Sequence, residues 1–442
     1  MEYYAKSKKV QFTSERINEI KKNLKNIEEC LKENLTETDV EILNSSITDI
    51  AEKTEEKQKT LKEHHKDIVT CAEMFFLEYG EYFTEKEKKL VVEACRIHDL
   101  GKVNLVFQAM ICPELAEKFH IDVKKIPQIP HGFLSAVTIS LDEFDDLSEL
   151  FSDKDFGPFI TAVYYHHDRE DHYNSPAIRK YAEKYYMKQI EEYLNRKIRK
   201  LNCSNLDDLL FRNNVYTGKY IPDSNAWKEY LLIKGLLNKF DYTVSAGYEN
   251  AESAIDLHEK KLVKNIEKFL NGKELRPAQK FMKMNRDKNL IVIAPTGSGK
   301  TEASLLWMNG EKSFYTLPLK VSSNAIYLRI KENYEYKDVA LLHSDAMAVY
   351  LREYNGNEDI GEKYERSKML SQPLTVCTVD QLFRFVYRAL GTEIFAATLK
   401  YSKLVLDEIQ AYEPRVIATI IYGLKMIQEM GGKFAIITAT FP

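Results

Sequence analysis

The sequence predicts a multidomain protein in which an all-α domain is followed by an α/β domain with a mainly parallel sheet. From about residue 60 to 250 the pattern is helical and strand-like runs are scarce. After Gly247, short apolar runs alternate with helical stretches, which is typical of a parallel sheet with helices on both faces. The 442 residues are enough for two large domains or about three smaller ones, each with its own core.

These patterns divide the chain into four predicted segments. Residues 1–59 are a polar, helical N-terminal extension, in which Ile17, Ile20, Leu24, Ile27 and Leu31 recur at helical spacing. Residues 60–250 form the all-α domain, with a polar, irregular surface insertion between about 190 and 225. Residues 251–272 are a charged linker helix, and residues 273–442 form the α/β domain.

Composition restricts the class of protein. A hydrophobic share of 44% and a charged share of 29% are those of a soluble globular chain. No apolar run reaches the roughly 18 residues of a membrane helix, and the start M-E-Y-Y-A-K lacks a signal peptide, so we expect a cytoplasmic protein without a membrane partner. The six scattered cysteines contain no C-x-x-C pair and are predicted to be reduced and mostly buried. The net charge of −4 predicts no global basic field but leaves room for a local basic groove.

A phosphate-binding loop is predicted at A-P-T-G-S-G-K-T, residues 294–301, because it follows an apolar strand and begins a helix. Its glycines, Gly297 and Gly299, let the backbone N–H groups around Ser298 face phosphate oxygens, and the helix N-terminus favours negative charge. Lys300 would reach the β- and γ-phosphates, and the Thr301 hydroxyl would bind Mg²⁺.

The second half of a nucleotide site is predicted at L-V-L-D-E-I-Q, residues 404–410. Asp407 would hold Mg²⁺, and Glu408 would orient the attacking water. Two adjacent carboxylates after a buried strand are hard to explain structurally, because they repel each other and must stay solvated. Upstream, the amide of Gln279 in L-R-P-A-Q can donate and accept, so it could select adenine and hence ATP.

The order and spacing of Gln279, residues 294–301, D-E-I-Q and T-A-T at 438–440 resemble the first RecA-like lobe of superfamily-two helicases. T-L-P-L-K-V-S-S-N-A and T-V-D-Q-L-F resemble the segments that grip the nucleic-acid backbone in those enzymes. The resemblance implies nucleic-acid contacts at Thr316, Asn324 and Thr378. Thr378 or Asp380 could also simply cap the helix that follows.

The helical half contains a dense set of metal-ligand types, since eight of the ten histidines fall between residues 64 and 172. The candidates are His64, His98, Asp99, His131, His166, His167 and Asp241. Imidazole and carboxylate ligands suit Mn²⁺, Fe²⁺, Co²⁺ or Ni²⁺. Adjacent His98 and Asp99 can share an ion only at a helix end or turn, which Gly101 would permit. Two adjacent ions can clamp a phosphodiester and activate water.

E-H-x-x-D-I, H-D-L-G-K, P-H-G, H-H and a late aspartate, in this order, closely resemble an HD-type phosphohydrolase. The resemblance implies that all seven candidates are metal ligands, and that Lys102 offsets charge on the phosphate. It implies no role for His65, His120, His172, His258 or His343. An HD domain followed by a superfamily-two lobe resembles the CRISPR-associated helicase–nuclease family of type I systems.

This family resemblance implies a nuclease that cuts single-stranded DNA with two transition-metal ions and carries an ATP- and Mg²⁺-binding helicase lobe. It implies recruitment by an RNA-guided surveillance complex in CRISPR interference. Gln410 departs from the family, where many members carry His in that place. Because the sequence stops at T-A-T-F-P, we expect a missing segment or a separate chain to supply the second lobe, without which the helicase module is incomplete. Two alternatives stay open: an HD phosphohydrolase acting on nucleotides, and an ATP-gated DNA-binding scaffold.

Overall fold

The computed structural model describes residues 3–6, 59–126, 128–139, 156–167, 175–198, 210, 225–253, 260–353 and 360–440. The helices predicted for the N-terminal extension, including Ile17 to Leu31, lie outside these residues. So does most of the predicted insertion between 190 and 225. At its start, the described chain is helical as far as Leu194 rather than irregular.

The N-terminal half is helical, as predicted. Its helices are α1 (Leu61–Tyr79), α2 (Glu85–Ile97), α3 (Leu105–Ile111), α4 (Pro113–Lys118), α5 (His131–Thr138), α6 (Phe156–Tyr164), α7 (Ser175–Tyr185), α8 (Met187–Leu194) and α9 (Asn225–Ser245). Short 3-10 turns lie at Gly80–Tyr82 and Leu100–Val103. The one isolated β-bridge in the described chain joins Tyr4 to Thr60.

Local sequence sets where α1 and α2 begin. The side chains of Thr60 and Thr84 each accept a hydrogen bond from the backbone N–H three residues on. In turn, the side chains of Glu63 and Glu87 accept a hydrogen bond from the backbone N–H of the capping threonine. These capping boxes satisfy N–H groups that a helix start leaves without partners. The first ligand candidate, His64, therefore lies in a helical turn whose start is firmly set.

The C-terminal half is an α/β domain. Its elements are α10 (Lys261–Leu270), α11 (Pro277–Met284), β1 (Leu290–Ile293), α12 (Lys300–Met308), β2 (Ser313–Leu317), α13 (Lys320–Glu332), β3 (Val339–Leu342), α14 (Ala346–Arg352), α15 (Ile360–Lys368), β4 (Leu374–Thr378), α16 (Val379–Leu382), α17 (Glu393–Lys400), β5 (Lys403–Asp407), α18 (Pro414–Met430) and β6 (Lys433–Thr438). Further 3-10 turns lie at Phe383–Tyr387 and Ile409–Ala411.

The six strands pair in parallel in the order β1-β6-β5-β2-β4-β3. All six correspond to the apolar runs of the sequence, so the prediction of a parallel sheet is confirmed. The central strands β2, β4 and β5 are buried along their whole length. Burial on both faces is why these strands are continuously apolar rather than alternating.

The two halves share one apolar core. Helix α9 of the helical half packs along α17 of the α/β half, and their side chains belong to one cluster that also includes one face of the sheet. Gly235 makes this approach possible: a Cβ there would lie 2.5 Å from the Glu393 carbonyl oxygen and 2.6 Å from the Ala397 Cβ. Such distances are too short for any side chain, so glycine is required by packing rather than by backbone angle.

Buried ion pairs cross the same boundary. The Lys234 ammonium lies 2.9 Å from a Glu393 oxygen, and the Tyr230 hydroxyl donates to Glu393 at 2.7 Å. Glu252 is buried and pairs with both Lys239 of α9 and Lys312 beside β2. Breaking one partner of a buried pair leaves an uncompensated charge, so these contacts hold the halves in one arrangement.

The predicted linker helix over 251–272 differs from the structure at its start. Residues 251–253 are outside any helix, and the helix begins at Lys261. Leu262, Val263 and Ile266 of this helix are buried against the far face of the sheet. Helix α10 is therefore part of the packing of the α/β half. Of the described cysteines, Cys71, Cys95 and Cys377 are buried free thiols and Cys112 is half-buried.

Candidate metal centre and nucleotide site

The ligand candidates of the helical half converge. His64 comes from the first turn of α1, His98 caps the C-terminus of α2, and Asp99 follows it before the 3-10 turn. His131 is the first residue of α5, and His166 and His167 lie in the turn after α6. The expectation that His98 and Asp99 lie at a helix end is correct. His166 and His167 also lie in a turn.

Asp99 is the centre of this arrangement. Its Oδ2 lies 3.3 Å from His64 Nε2 and 3.4 Å from His98 Nε2, and its Oδ1 lies 3.1 Å from His131 Nε2 and 3.5 Å from His166 Nε2. Two donor sets result, His64–His98–Asp99 and Asp99–His131–His166–His167, each with ligand atoms within 4.8 Å of one another. One carboxylate that faces two sets of imidazoles is the arrangement that a pair of adjacent ions needs.

The donor atoms are buried and unsatisfied. Nε2 of His64, His98, His131 and His166 and Oδ1 of Asp99 have no hydrogen-bond partner among the described residues. His98 Nδ1 lies 3.0 Å from the Cys95 carbonyl, and His166 Nδ1 lies 2.6 Å from the Val163 carbonyl. Each Nδ1–H can donate to that carbonyl, which leaves a free electron pair on Nε2 for a metal ion. Unpaired buried nitrogens are costly, and a divalent transition-metal ion fits this donor set.

The pKa shifts follow from burial and mutual contact. Burial lowers the pKa of His131 to about 3, although Asp99 opposes the shift. Burial also lowers the pKa of His64, but the nearby carboxylates of Asp241 and Asp99 outweigh it and leave that pKa raised. Burial would raise the pKa of Asp99, yet His98, Lys102, His131 and His166 together lower it well below its usual range. A charged carboxylate among mostly neutral imidazoles is the state that binds metal.

Asp241 and Lys102 both contact the cluster. Asp241, near the end of α9, places Oδ1 3.2 Å from His64 Nε2, on the side of the first donor set. The Lys102 ammonium is buried and lies 2.6 Å from Asp99 Oδ2. Lys102 is thus paired with a ligand candidate, which the sequence did not indicate. Its predicted contact with a phosphate stays a prediction.

Gly101 acts differently from the expectation. Its φ is not in the left-handed region. Instead, a Cβ at Gly101 would collide with the backbone carbonyl of His131, and its N–H donates to the Ser135 hydroxyl at 2.8 Å. Glycine therefore allows the turn after Asp99 to lie directly against the start of α5. That close approach brings His131 to Asp99.

The phosphate-binding loop joins β1 to α12 as predicted. Gly297 and Gly299 have φ of 76° and 82°, which glycine adopts without strain. A Cβ at Gly299 would also collide with the Gln279 amide. The loop borders an open pocket of about 640 Å³ that includes Gln279, Lys300, Thr301, Asp407 and Glu408. Six of the seven predicted ATP-binding residues, all but Ser298, thus line the same pocket as the predicted water-orienting residue, Glu408.

The charged groups of this pocket pair with one another. Lys300 Nζ lies 2.5 Å from a Glu408 oxygen, and the Tyr315 hydroxyl donates to Asp407 Oδ2 at 2.7 Å. Burial raises the pKa of Asp407 even though Tyr315 opposes the shift, whereas Lys300 keeps the pKa of Glu408 low against the effect of burial. Gln410 bonds both Glu408 and Thr438. The side-chain amide of Gln410 therefore connects Glu408 to the T-A-T segment.

Two residues of this pocket were missed from the sequence. Tyr315 is buried in the middle of β2, where a tyrosine is usually ordinary core, so no local signal marked its bond to Asp407. Arg276 donates to the Gly297 carbonyl of the loop. Arg276 lies in L-R-P-A-Q, and its guanidinium beside a phosphate loop was a signal that could have been used.

The three residues predicted to contact nucleic acid lie in different environments. The side chain of Thr316 is fully buried in β2 and its hydroxyl donates to the Val405 carbonyl at 2.9 Å, so its contact with nucleic acid stays a prediction. Thr378 is 5% exposed, and it makes no side-chain capping bond to α16, so the capping alternative is wrong for this residue. Asn324 is half-buried and lies 2.7 Å from His343 Nε2 through its Oδ1. His343, without an expected role, thus has a structural one.

Two family models match the chain. A model described as Cas3, HD domain covers residues 51–225, and one described as DEAD/DEAH box helicase covers residues 277–442. The fold and the two sites thus define an HD domain of the Cas3 type joined to a helicase domain of the DEAD/DEAH-box class. Asp241 and residues 3–6 lie outside both matched ranges.

The chain is a homologue of Cas3. It is 25% identical to the CRISPR-associated nuclease/helicase Cas3 of Methanothermobacter thermautotrophicus, with 89% of this chain and 53% of that protein aligned. The CRISPR-associated endonuclease/helicase Cas3 of Escherichia coli is 24% identical over 34% of this chain and 20% of its own length. The chain thus spans about half the length, or less, of these curated relatives.

Solved structures support the same fold. The crystal structure of T. fusca Cas3-ATP superposes with a TM-score of 0.58 at 16% identity, over 87% of this chain and 48% of that one. The T. fusca Cas3-ADP structure gives the same TM-score at 18% identity. Within the part of the chain that the structure describes, no helix has the length and apolar character needed to cross a membrane.

Proposed function

We propose that this chain is a metal-dependent nuclease that cuts single-stranded DNA in CRISPR interference and carries an ATP-binding helicase lobe. The observation that supports it most directly is the carboxylate of Asp99, whose two oxygens each lie near a different set of imidazole nitrogens. The proposed role in a CRISPR system is supported by the relatives that are named CRISPR-associated nuclease/helicases.

The protein's own groups would divide the work. His64, His98, Asp99 and Asp241 would hold one ion, and Asp99, His131, His166 and His167 the other. Bound ions of the Mn²⁺, Fe²⁺, Co²⁺ or Ni²⁺ type would lower the pKa of water and offset charge on a phosphodiester. The Nδ1–H bonds of His98 and His166 to backbone carbonyls would keep both rings oriented. The Lys102 ammonium, close to Asp99, would add positive charge where the phosphate sits.

The helicase lobe would bind ATP and Mg²⁺ in the pocket beside the phosphate loop. Lys300 would exchange Glu408 for the β- and γ-phosphates, which would free Glu408 to orient water. Gly297, Ser298 and Gly299 would present backbone N–H groups, and Thr301 with Asp407 would hold Mg²⁺. In the relatives a longer chain is available to complete such a site. We propose that an additional segment or chain does so here, and that an RNA-guided surveillance complex delivers the DNA strand.

The test is a cutting assay with a single-stranded DNA oligonucleotide and Mn²⁺. The variants His98→Ala and Asp99→Ala should lose at least about a thousandfold in rate, since each removes a ligand and Asp99 serves both donor sets. His120→Ala is the matched control, because His120 is an exposed histidine of the same domain outside both donor sets. Undiminished cutting by Asp99→Ala would refute the nuclease assignment.

Two further measurements separate the alternatives. A phosphohydrolase of nucleotides should turn over free nucleotides faster than it cuts the oligonucleotide. A DNA-binding scaffold should purify without stoichiometric transition metal. The buried, unsatisfied imidazole nitrogens favour the nuclease over the scaffold, because a scaffold would have no reason to keep them.

A further inference from the structure

Tyr315 is a fully buried residue of β2 that shares one face of the sheet with Asp407. The register pairs Tyr315 with Val405. Because side chains alternate between the two faces of a strand, Asp407, two residues after Val405, lies on that same face. The Tyr315 hydroxyl donates to Asp407 Oδ2 at 2.7 Å. A side chain from the middle of β2 therefore holds one oxygen of the acid at the end of β5.

The same hydroxyl lies beneath the helix that follows the phosphate loop. Helix α12 covers this face of the sheet, and its apolar side chains belong to the same buried cluster as Tyr315. The side chains of Thr301 and Ser304, three residues apart on α12, lie close to the Tyr315 hydroxyl. One hydroxyl thus adjoins both residues that we propose to hold Mg²⁺, Thr301 and Asp407, although they come from different elements.

The other oxygen of Asp407 has no such bond. Asp407 Oδ1 is buried and has no hydrogen-bond partner among the described residues. Asp407 lines the nucleotide pocket together with Lys300 and Thr301. A buried carboxylate oxygen without a partner costs free energy, and carboxylate oxygens are ligands that Mg²⁺ takes in proteins. The acid therefore fits the ion, and the bond from Tyr315 decides which of its two oxygens remains for it.

We propose that Tyr315 is a positioning residue of the nucleotide site, whose hydroxyl holds Asp407 Oδ2 so that Oδ1 is kept for Mg²⁺. This inference rests on the proposed binding of ATP and Mg²⁺. Tyr315 is not among the described residues that line the pocket, so it acts on the ion through Asp407 and does not touch the nucleotide. Removal of a group that orients a metal ligand in this way lowers metal affinity about 10- to 100-fold.

A purely structural bond would behave differently. A buried tyrosine hydroxyl usually finds a partner, and Asp407 could serve only that purpose. Loss of a structural bond would weaken ATP binding by the same factor with and without Mg²⁺, because it would act through the stability of the whole lobe. Loss of a positioning bond should change only the part of ATP binding that depends on Mg²⁺.

The experiment compares Tyr315→Phe with the control Tyr350→Phe. Each substitution removes one hydroxyl from a buried tyrosine of the same lobe, and the Tyr350 hydroxyl bonds only the Leu341 main chain. ATP is titrated by calorimetry in EDTA and at a series of Mg²⁺ concentrations. In Tyr315→Phe the Mg²⁺ concentration that gives half of the gain in ATP affinity should rise about tenfold, with no change in EDTA. Tyr350→Phe should match the parent chain in both conditions.

A second variant tests whether the effect passes through the acid. In an Asp407→Ala background, Tyr315→Phe should cause no further rise in the Mg²⁺ requirement, since the two residues act through one bond. A rise of the same size in that background would mean that Tyr315 acts on the ion by another route, and it would refute the proposal.

The remaining outcomes separate two failures. If the parent chain binds ATP and Tyr315→Phe keeps the parent's Mg²⁺ requirement, the role of Tyr315 is refuted and the nucleotide site stands. If Tyr315→Phe loses ATP affinity equally with and without Mg²⁺, or fails to fold while Tyr350→Phe folds, the bond is structural and the proposal is also refuted. If the parent chain binds no ATP, the proposed nucleotide site fails and this inference fails with it.

Discussion

The metal centre and the nucleotide pocket use opposite designs. At the metal centre four imidazole nitrogens and a carboxylate oxygen are buried and have no hydrogen-bond partner among the described residues. At the nucleotide pocket the opposite charges pair with each other, Lys300 with Glu408, and Asp407 accepts from Tyr315. The first site needs a bound cation to satisfy its buried nitrogen and oxygen atoms. At the second site Lys300 and Glu408 satisfy each other and must exchange partners when a ligand arrives, while only Asp407 Oδ1 of the acid pair is buried without a hydrogen-bond partner among the described residues.

The difference has a physical cause. A buried imidazole that keeps its electron pair costs free energy in the folded chain, and only a strongly bound cation offsets that cost. The phosphate loop borders an open pocket that a ligand can enter, and there Lys300 and Glu408 can exchange each other for that ligand. The comparison therefore predicts a resident ion in one half and an exchangeable ligand in the other.

The largest expected effect tests the exchange of partners. Lys300→Ala should weaken ATP binding by about a hundredfold, since the ammonium makes charge-assisted bonds to two phosphates. Titration calorimetry with ATP and Mg²⁺ measures it. Lys320→Ala, at another lysine of the same lobe that pairs with Asp345, is the control and should bind ATP normally. Equal ATP affinity in Lys300→Ala and the parent chain would contradict the pocket assignment.

Removal of metal tests the other side of the comparison. Stripping the protein with a chelator should lower the free energy of unfolding, and Mn²⁺ at a hundred times its Kd should restore about 2.7 kcal/mol per bound ion. Denaturant titrations with and without Mn²⁺ measure the difference. The Asp99→Ala variant should show no gain from Mn²⁺. A gain of the same size in that variant would mean that the ion binds elsewhere.

The contact between the two halves can be tested at Gly235. In Gly235→Ala the new methyl group meets the Glu393 carbonyl and the Ala397 side chain, so we expect a loss of about 1–3 kcal/mol in stability. Asp241 lies on the same helix, so Mn²⁺ affinity should fall more than ATP affinity. Tyr242→Phe, which removes only a hydroxyl from a partly exposed ring of α9, is the control. Equal losses of Mn²⁺ and ATP affinity would instead indicate that the substitution destabilises the whole chain.

The smallest effect concerns the buried Lys312. Burial lowers its pKa from 10.5 to about 8, against the pull of Glu252. Between these values the unfolded chain binds more protons than the folded one, so this group makes the free energy of unfolding rise with pH, by at most about 1.4 kcal/mol per unit. Lys312→Met should remove that slope, which denaturant titrations at several pH values between 8 and 10 would detect. The same slope in parent and variant would show that Lys312 titrates normally.

Much of the molecule was predictable because the signals are local. Six apolar runs marked the six strands, and the loop 294–301 lay where a strand meets a helix. The seven ligand candidates were found by residue type and order. The sequence places Thr316 in a motif but does not show that its hydroxyl donates to the Val405 carbonyl inside the sheet. Tyr315 was missed for the same reason, since nothing local tells a core tyrosine from one that holds Asp407.

The sequence by itself determined the two fold classes, the phosphate loop and the kinds of ligand, because periodicity and residue chemistry act over a few positions. Only the tertiary structure decided how the ligands divide into two sets about Asp99, why Gly101 must be glycine, and that Asp241 lies beside His64. Those facts depend on contacts between segments up to hundreds of residues apart. Such contacts follow from the packing of the whole chain, and no short pattern carries them.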